Sequence, residues 1–127
     1  MYELTLETVF SAAHAIVVGG VRERVHGHDW RVTACVEGEE LDAEGLLVDF
    51  HAVERVLHGI TSRLHNTHLN EASPFDRVNP TAEQVAAHIA RELGSGLERE
   101  VGGSRGVRVA WVRVTEAPGC AATYRCP

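Results

Sequence analysis

Cysteine, methionine and positive charge are scarce in this sequence, and each shortage closes off a class of function. There are three cysteines and one methionine among 127 residues. Cys35, Cys120 and Cys126 are odd in number and form no C-x-x-C, so neither a disulfide framework nor an all-cysteine zinc site is expected. Small buried or terminal thiols in a reducing compartment fit them better. Lysine and arginine total 12 against 18 acidic residues, a formal net charge of −6. No basic run offsets that balance, so no nucleic-acid partner is expected. No apolar stretch approaches the ~18 residues of a membrane-spanning helix. The opening "MYELTLETVF" lacks a charged segment followed by an apolar one, so no secretory signal is expected, and a cytoplasmic location follows. What remains is ordinary for a soluble globular chain, 44% apolar and 24% charged, with an excess of histidine, eight in all. The length is that of one domain, residues 1–127, able to bury a core.

Periodicity outlines the elements. Tyr2, Leu4, Leu6, Phe10 and Ala12 share one parity of a first strand, and His14 ends that parity. A second strand runs from about His26 to Glu37, with His26, His28, Trp30, Val32, Ala34 and Val36 on one side. Between them Gly19-Gly20 marks a turn. "VDFHAVERVLHGITSRL" predicts a helix capped by Asp49, with Phe50, Val53, Leu57, Ile60 and Leu64 as its stripe. A polar loop follows. A second helix then starts at a Thr81–Gln84 capping box after Pro80, with Ala82, Val85, Ala86, Ile89 and Leu93 as its stripe and Gly94-Ser95-Gly96 loosening its end. "GVRVAWVRVTE" and "CAATYRC" close the chain as strands joined at Ala117-Pro118-Gly119. The order β-β-α-α-β-β predicts an α+β fold, a four-stranded antiparallel sheet with two helices. Strict alternation in the third strand places Val107, Val109 and Trp111 on one face and Ala110, Val112 and Val114 on the other. Two helices cover one face, so the other predicts cover by another subunit.

Pairing the first two strands as a hairpin brings His14, His26 and His28 to one corner, on one side. Three imidazoles from adjacent strands are a standard set for catalytic zinc, with the fourth position left to water or substrate. No fourth ligand is evident in the sequence. Glu23, three residues before His26, is either a loop charge paired with Arg22 or Arg24 or a general base beside the metal. Glu116, at a strand end, is either solvated or a carboxylate placed to accept two parallel N–H donors. His51, His58 and His88 fall on helices away from the corner and read as surface or interface residues.

The segments "FSAAH", "HGHDW", "GLLVDF", "THLNE", "NPTAEQVA" and "VTEAPGCAATY" occur in the order and approximate spacing of the 6-pyruvoyl tetrahydropterin synthase / 6-carboxytetrahydropterin synthase family. The chain resembles that family over nearly its whole length. The resemblance implies the tunnelling fold, barrels closed by trimerisation and stacked to a hexamer, and active sites between subunits. It implies zinc on His14, His26 and His28, Glu116 anchoring a pterin, Thr81 and Glu83 at the substrate, and 7,8-dihydroneopterin triphosphate as substrate.

Two departures sharpen the expectation. The catalytic cysteine usual before His-Gly-His is missing, and Arg22-Glu23-x-Val25-His26 resembles the subgroup in which glutamate takes its place. That subgroup is associated with cutting the side chain to 6-hydroxymethyl-7,8-dihydropterin, a folate precursor. The usual Asp-His before Leu-Asn is His65-Asn66 here, so His65 or His68 supplies the imidazole of the relay, His65 being preferred. Glu23 then deprotonates the C2′ hydroxyl, and the C1′–C2′ bond breaks in a retro-aldol sense. The rival readings are 6-pyruvoyl or 6-carboxy product formation, the latter on the queuosine path, and a pterin-binding protein without turnover.

Overall fold

The computed structural model describes residues 1–102 and 106–127. Strands β1 (Tyr2–His14) and β4 (His26–Gly38) pair antiparallel along their whole length, from Tyr2 opposite Gly38 to His14 opposite His26. The expected hairpin is therefore present, and its connection folds into a small ribbon of its own, β2 (Val17–Val18) and β3 (Val21–Arg22). Gly19 and Gly20 turn that ribbon with φ of 59° and 79°, the left-handed pair that a two-residue hairpin turn requires.

Helix α1 (Phe50–Leu64) starts where Asp49 accepts from the His51 N–H. Val53, Leu57, Ile60 and Leu64 are buried as expected, whereas Phe50, in the first turn, is exposed. Strand β5 (Thr67–His68) adds two residues parallel to Ala12 and Ala13, a strand too short for periodicity to register. Helix α2 (Ala82–Val101) begins at the Thr81 cap: its hydroxyl accepts from the Gln84 N–H, while the Thr81 N–H donates to the Asn79 carbonyl. The helix does not loosen at Gly94-Ser95-Gly96 but continues to Val101. Gly96 lies against α1, where a Cβ would collide with Val56 Cγ1, so glycine here permits close helix packing.

Strands β6 (Arg108–Ala117) and β7 (Cys120–Arg125) complete a sheet in the order β5-β1-β4-β6-β7. A bulge at Cys35/Val36 corrects the alternation expected for β6. Val109 sits opposite Val36 and Val112 opposite Ala34, so both join the helix-covered side, and Trp111 alone turns outward opposite Cys35. The uncovered face is consequently polar rather than apolar. It carries Thr33 donating to Glu7, Arg113 donating to Thr123, and the Arg113 guanidinium over the Trp111 ring. The core lies between the other face and the two helices, centred on Phe10, Trp30, Val32, Val53, Leu93 and Val112. No described helix is long and apolar enough to cross a membrane.

The Gly96 contact gives a direct test of helix packing. Gly96→Ala should lower unfolding stability by about 1–3 kcal/mol through overpacking. Gly94→Ala, with open space around its Cβ, should raise it by up to about 1 kcal/mol through helix propensity. Urea denaturation of both variants checks the pair.

Candidate metal centre and active site

The β1–β4 register places three imidazoles at the corner of the sheet, because His14 faces His26 and Ala12 faces His28. Residues two apart on a strand share a side, so all three rings point to the helix-covered face just beyond the core. Their centroids form a near-equal triangle, 4.7 Å for His14–His26, 5.2 Å for His14–His28 and 4.7 Å for His26–His28. Trp30 is the floor, edge-on to His14 at 4.8 Å and anchored by its Nε1–H donating to the Ala12 carbonyl at 3.1 Å.

Backbone carbonyls decide which ring nitrogens are available. His14 Nδ1 lies 2.8 Å from the Pro80 carbonyl and His26 Nδ1 lies 2.9 Å from that of Arg24. A carbonyl only accepts, so each Nδ1 carries the proton and each Nε2 keeps its lone pair for a ligand. His14 Nε2 and His28 Nε2 are buried and have no hydrogen-bond partner. Burial holds the His28 imidazole below its ordinary value against the opposing pull of Glu116, and His26 and His14 add to the lowering. That direction favours the neutral ring, the state in which an imidazole binds metal.

Glu116, near the end of β6, completes the group. Its Oε1 is 2.7 Å from His14 Nε2 and 3.2 Å from His28 Nε2. One donor atom from each of His14, His26, His28 and Glu116 falls within 4.8 Å of the others, a set that can hold a metal ion. Orphaned nitrogens facing a carboxylate fit a divalent cation, and zinc's preference for nitrogen and oxygen donors fits this set. Glu116 is therefore a candidate for the fourth donor that the sequence did not reveal. Beside the group, a cleft of about 560 Å³ is lined by His28, Asp29, Arg31, Thr115 and Glu116.

Glu23 arrives on the β2–β3 ribbon. Its Oε1 is 3.6 Å from His26 Nε2 and accepts from the Ile16 N–H at 3.1 Å. The carboxylate is 37% exposed, so one chain alone builds no dry pocket around it. The other expected residues lie outside the group. His65 Nδ1 accepts from the Ser11 N–H on the outer edge of β1. His68 Nδ1 lies 3.4 Å from Glu71 Oε1. Thr81 spends its hydroxyl on the α2 cap, and Glu83 is exposed in the first turn. His51 and His58 are exposed on α1, and His88 packs edge-on to Phe75. All three cysteines are free, and none joins the metal-binding group among the described residues. Burial pushes the Cys35 thiol up to about 11, an inert form.

Two residues escaped the sequence reading. Asn70 pairs its side-chain amide with both the N–H and the carbonyl of Ala15, at 2.8 and 2.7 Å. Asn79 does the same to Val17, at 2.9 Å on each side. Each amide imitates a neighbouring strand and pins the segment that leads from His14 to Glu23. Both stand in recognisable motifs, "THLNE" and "NPTAEQVA", yet an asparagine in a polar loop gives no periodic signal.

The family profile of 6-pyruvoyl tetrahydropterin synthase matches residues 3–127. The chain belongs to that family. A 6-carboxy-5,6,7,8-tetrahydropterin synthase of Bacillus subtilis is 37% identical over 103 residues, covering 76% of this chain and 68% of that one. A dihydroneopterin monophosphate aldolase of Pyrococcus furiosus is 30% identical over 111 residues, covering 80% and 91%. Among solved structures, the 6-pyruvoyl tetrahydropterin synthase of Caenorhabditis elegans superimposes with a TM-score of 0.79 at 21% identity, over 100% of this chain and 98% of that one. A Plasmodium vivax synthase in which a catalytic glutamate is replaced by alanine gives 0.78 at 19% identity, over 97% and 96%. The tunnelling fold expected from the sequence is the fold observed.

Two variants probe the site. His26→Ala should abolish stoichiometric zinc binding by metal analysis; zinc at the wild-type level would remove the three-histidine assignment. Asn79→Ala should speed amide exchange at Ile16 and Val17 by roughly tenfold or more while the β1–β4 ladder stays protected. Unaltered exchange would mean that the amide does not hold the ribbon.

Proposed function

We propose that the protein is a zinc-dependent pterin lyase that cleaves the side chain of 7,8-dihydroneopterin triphosphate to give 6-hydroxymethyl-7,8-dihydropterin. The observation that carries this reading is Glu23, 3.6 Å from His26 Nε2 in a site that no thiol joins among the described residues. His14, His26 and His28 hold the metal through Nε2, and zinc there supplies Lewis acidity toward the side-chain hydroxyls. Glu116 accepts the N–H edge of the pterin and fixes the ring. Glu23 takes the proton of the C2′ hydroxyl. The C1′–C2′ bond then breaks, its electron pair passes into the C6=N5 imine, and C2′ departs as the aldehyde bearing the phosphate. A proton returned to C1′ completes the hydroxymethyl group. A carboxylate is matched to an O–H proton, whereas a C–H proton at C1′ calls for a stronger base.

The aldolase of P. furiosus supports cleavage, and it makes the monophosphate ester a second substrate to try. A catalytic glutamate in the P. vivax neighbour supports a carboxylate as a working group on this fold. The B. subtilis relative favours a second reading, 6-carboxytetrahydropterin formation.

Assembly belongs to the proposal. Among the described residues, β1 from Tyr2 to Phe10 and all of β7 have no strand partner on their outer edges. Such edges seek strands of another copy, closing a barrel as a trimer or a hexamer of two trimers. His65, Thr81 and Glu83, none of which joins the metal-binding group, would then serve a neighbour's cleft.

Product analysis decides between the readings. Zinc-loaded protein given the triphosphate, and separately the monophosphate, should yield 6-hydroxymethyl-7,8-dihydropterin by mass. A 6-carboxy or 6-pyruvoyl product would replace the proposal with the second reading or its relative. Glu23→Gln should keep zinc and fold while slowing turnover roughly 10²–10⁴-fold; undiminished turnover would remove Glu23 from the chemistry.

A further inference from the structure

Glu116 is drawn in two directions. As the pterin anchor it must offer both carboxylate oxygens to a flat pair of N–H donors, yet its Oε1 already sits at 2.7 Å from His14 Nε2 and 3.2 Å from His28 Nε2. Those nitrogens have no other partner, and the His14 Nδ1 proton is committed to the Pro80 carbonyl. A bare lone pair and a carboxylate oxygen this close need a proton or a metal ion between them. Tetrahedral zinc with nitrogen and oxygen ligands at 2.0–2.2 Å spaces its donors roughly 3.3 Å apart. Oε1 stands near that spacing from His28 and somewhat inside it from His14.

We propose that Glu116 is the fourth metal ligand when no pterin is bound, and that docking of the pterin ring draws this carboxylate off the metal. The second half rests on the pterin reading above; the first does not. One side chain thereby couples two events. The resting site is closed, with the negative charge of Glu116 against the cation, and a coordination position opens only when the ring edge has taken the carboxylate. Metal-bound water and stray chelating ligands are kept out until substrate is seated.

The test uses the full chain loaded with cobalt(II) in place of zinc. Pulsed electron–nuclear resonance in H₂O against D₂O counts exchangeable water on the metal. The wild type should show none, and Glu116→Ala should gain one. Glu116→Gln, which keeps shape and removes charge, guards against a folding artefact, and both variants should bind zinc at least about 10-fold more weakly in chelator competition. Metal-bound water in the wild type, unchanged in the variants, overturns the ligand assignment. The exchange is then tested with 6-methylpterin, which has the ring edge and no side-chain hydroxyls to reach the metal. Its binding, followed by fluorescence, should admit water to the wild-type metal. Binding without new water overturns the exchange alone. Failure to bind overturns the exchange and the pterin reading together, while the water count still judges the resting ligand.

Discussion

The hydrogen bond from His14 Nδ1 to the Pro80 carbonyl, 2.8 Å long and fully buried, is the contact on which the site depends. It joins the last residue of β1 to the residue before the α2 cap, 66 positions along the chain. It also determines the protonation pattern of the ring, because a carbonyl accepts and never donates. With Nδ1 so committed, Nε2 is left as a lone pair in a dry place. That arrangement calls for a proton or a metal, and Glu116 supplies the negative charge that a metal would share. The capping of α2 by Thr81 thus has a consequence beyond the helix, since it fixes the backbone that presents the carbonyl.

Around this contact, two kinds of support hold the site. The long β1–β4 ladder and the Trp30 floor hold His14, His26 and His28 on packed strands. The Glu23 ribbon is held differently, by the amides of Asn70 and Asn79, by the Glu23 N–H donating to the Ile16 carbonyl and by the Glu23 carboxylate accepting from the Ile16 N–H. The histidine group is therefore built on the core, and Glu23 is strapped to it by side chains.

The uncovered face of the sheet has its own logic. Its Thr33–Glu7 and Arg113–Thr123 hydrogen bonds, with Arg113 over Trp111, suit a wet or charge-lined surface rather than a second hydrophobic layer. The open edges of β1 and β7 offer backbone groups instead. Association through edges needs no apolar face, so the polar surface and an oligomeric barrel are compatible.

By itself the sequence determined the elements and the three-histidine corner. Parity along Tyr2–His14 and His26–Gly38 specifies both strands, and a full antiparallel pairing leaves His14, His26 and His28 nowhere else to meet. The Asp49 and Thr81 caps were equally legible, because a cap is a local hydrogen bond. Tertiary structure decided the rest. The bulge at Cys35/Val36 moved Val109 to the core side, since packing against α2 outweighs strict alternation. Gly96 kept its helix because α1 needed the space. The strand-like amides of Asn70 and Asn79, the carbonyls behind His14 and His26, and the reach of Glu116 to two imidazoles all join segments distant in sequence. Periodicity and spacing carry no information about such contacts. They exist only once the core has brought the segments together, and there the unpaired nitrogens of His14 and His28 meet their carboxylate.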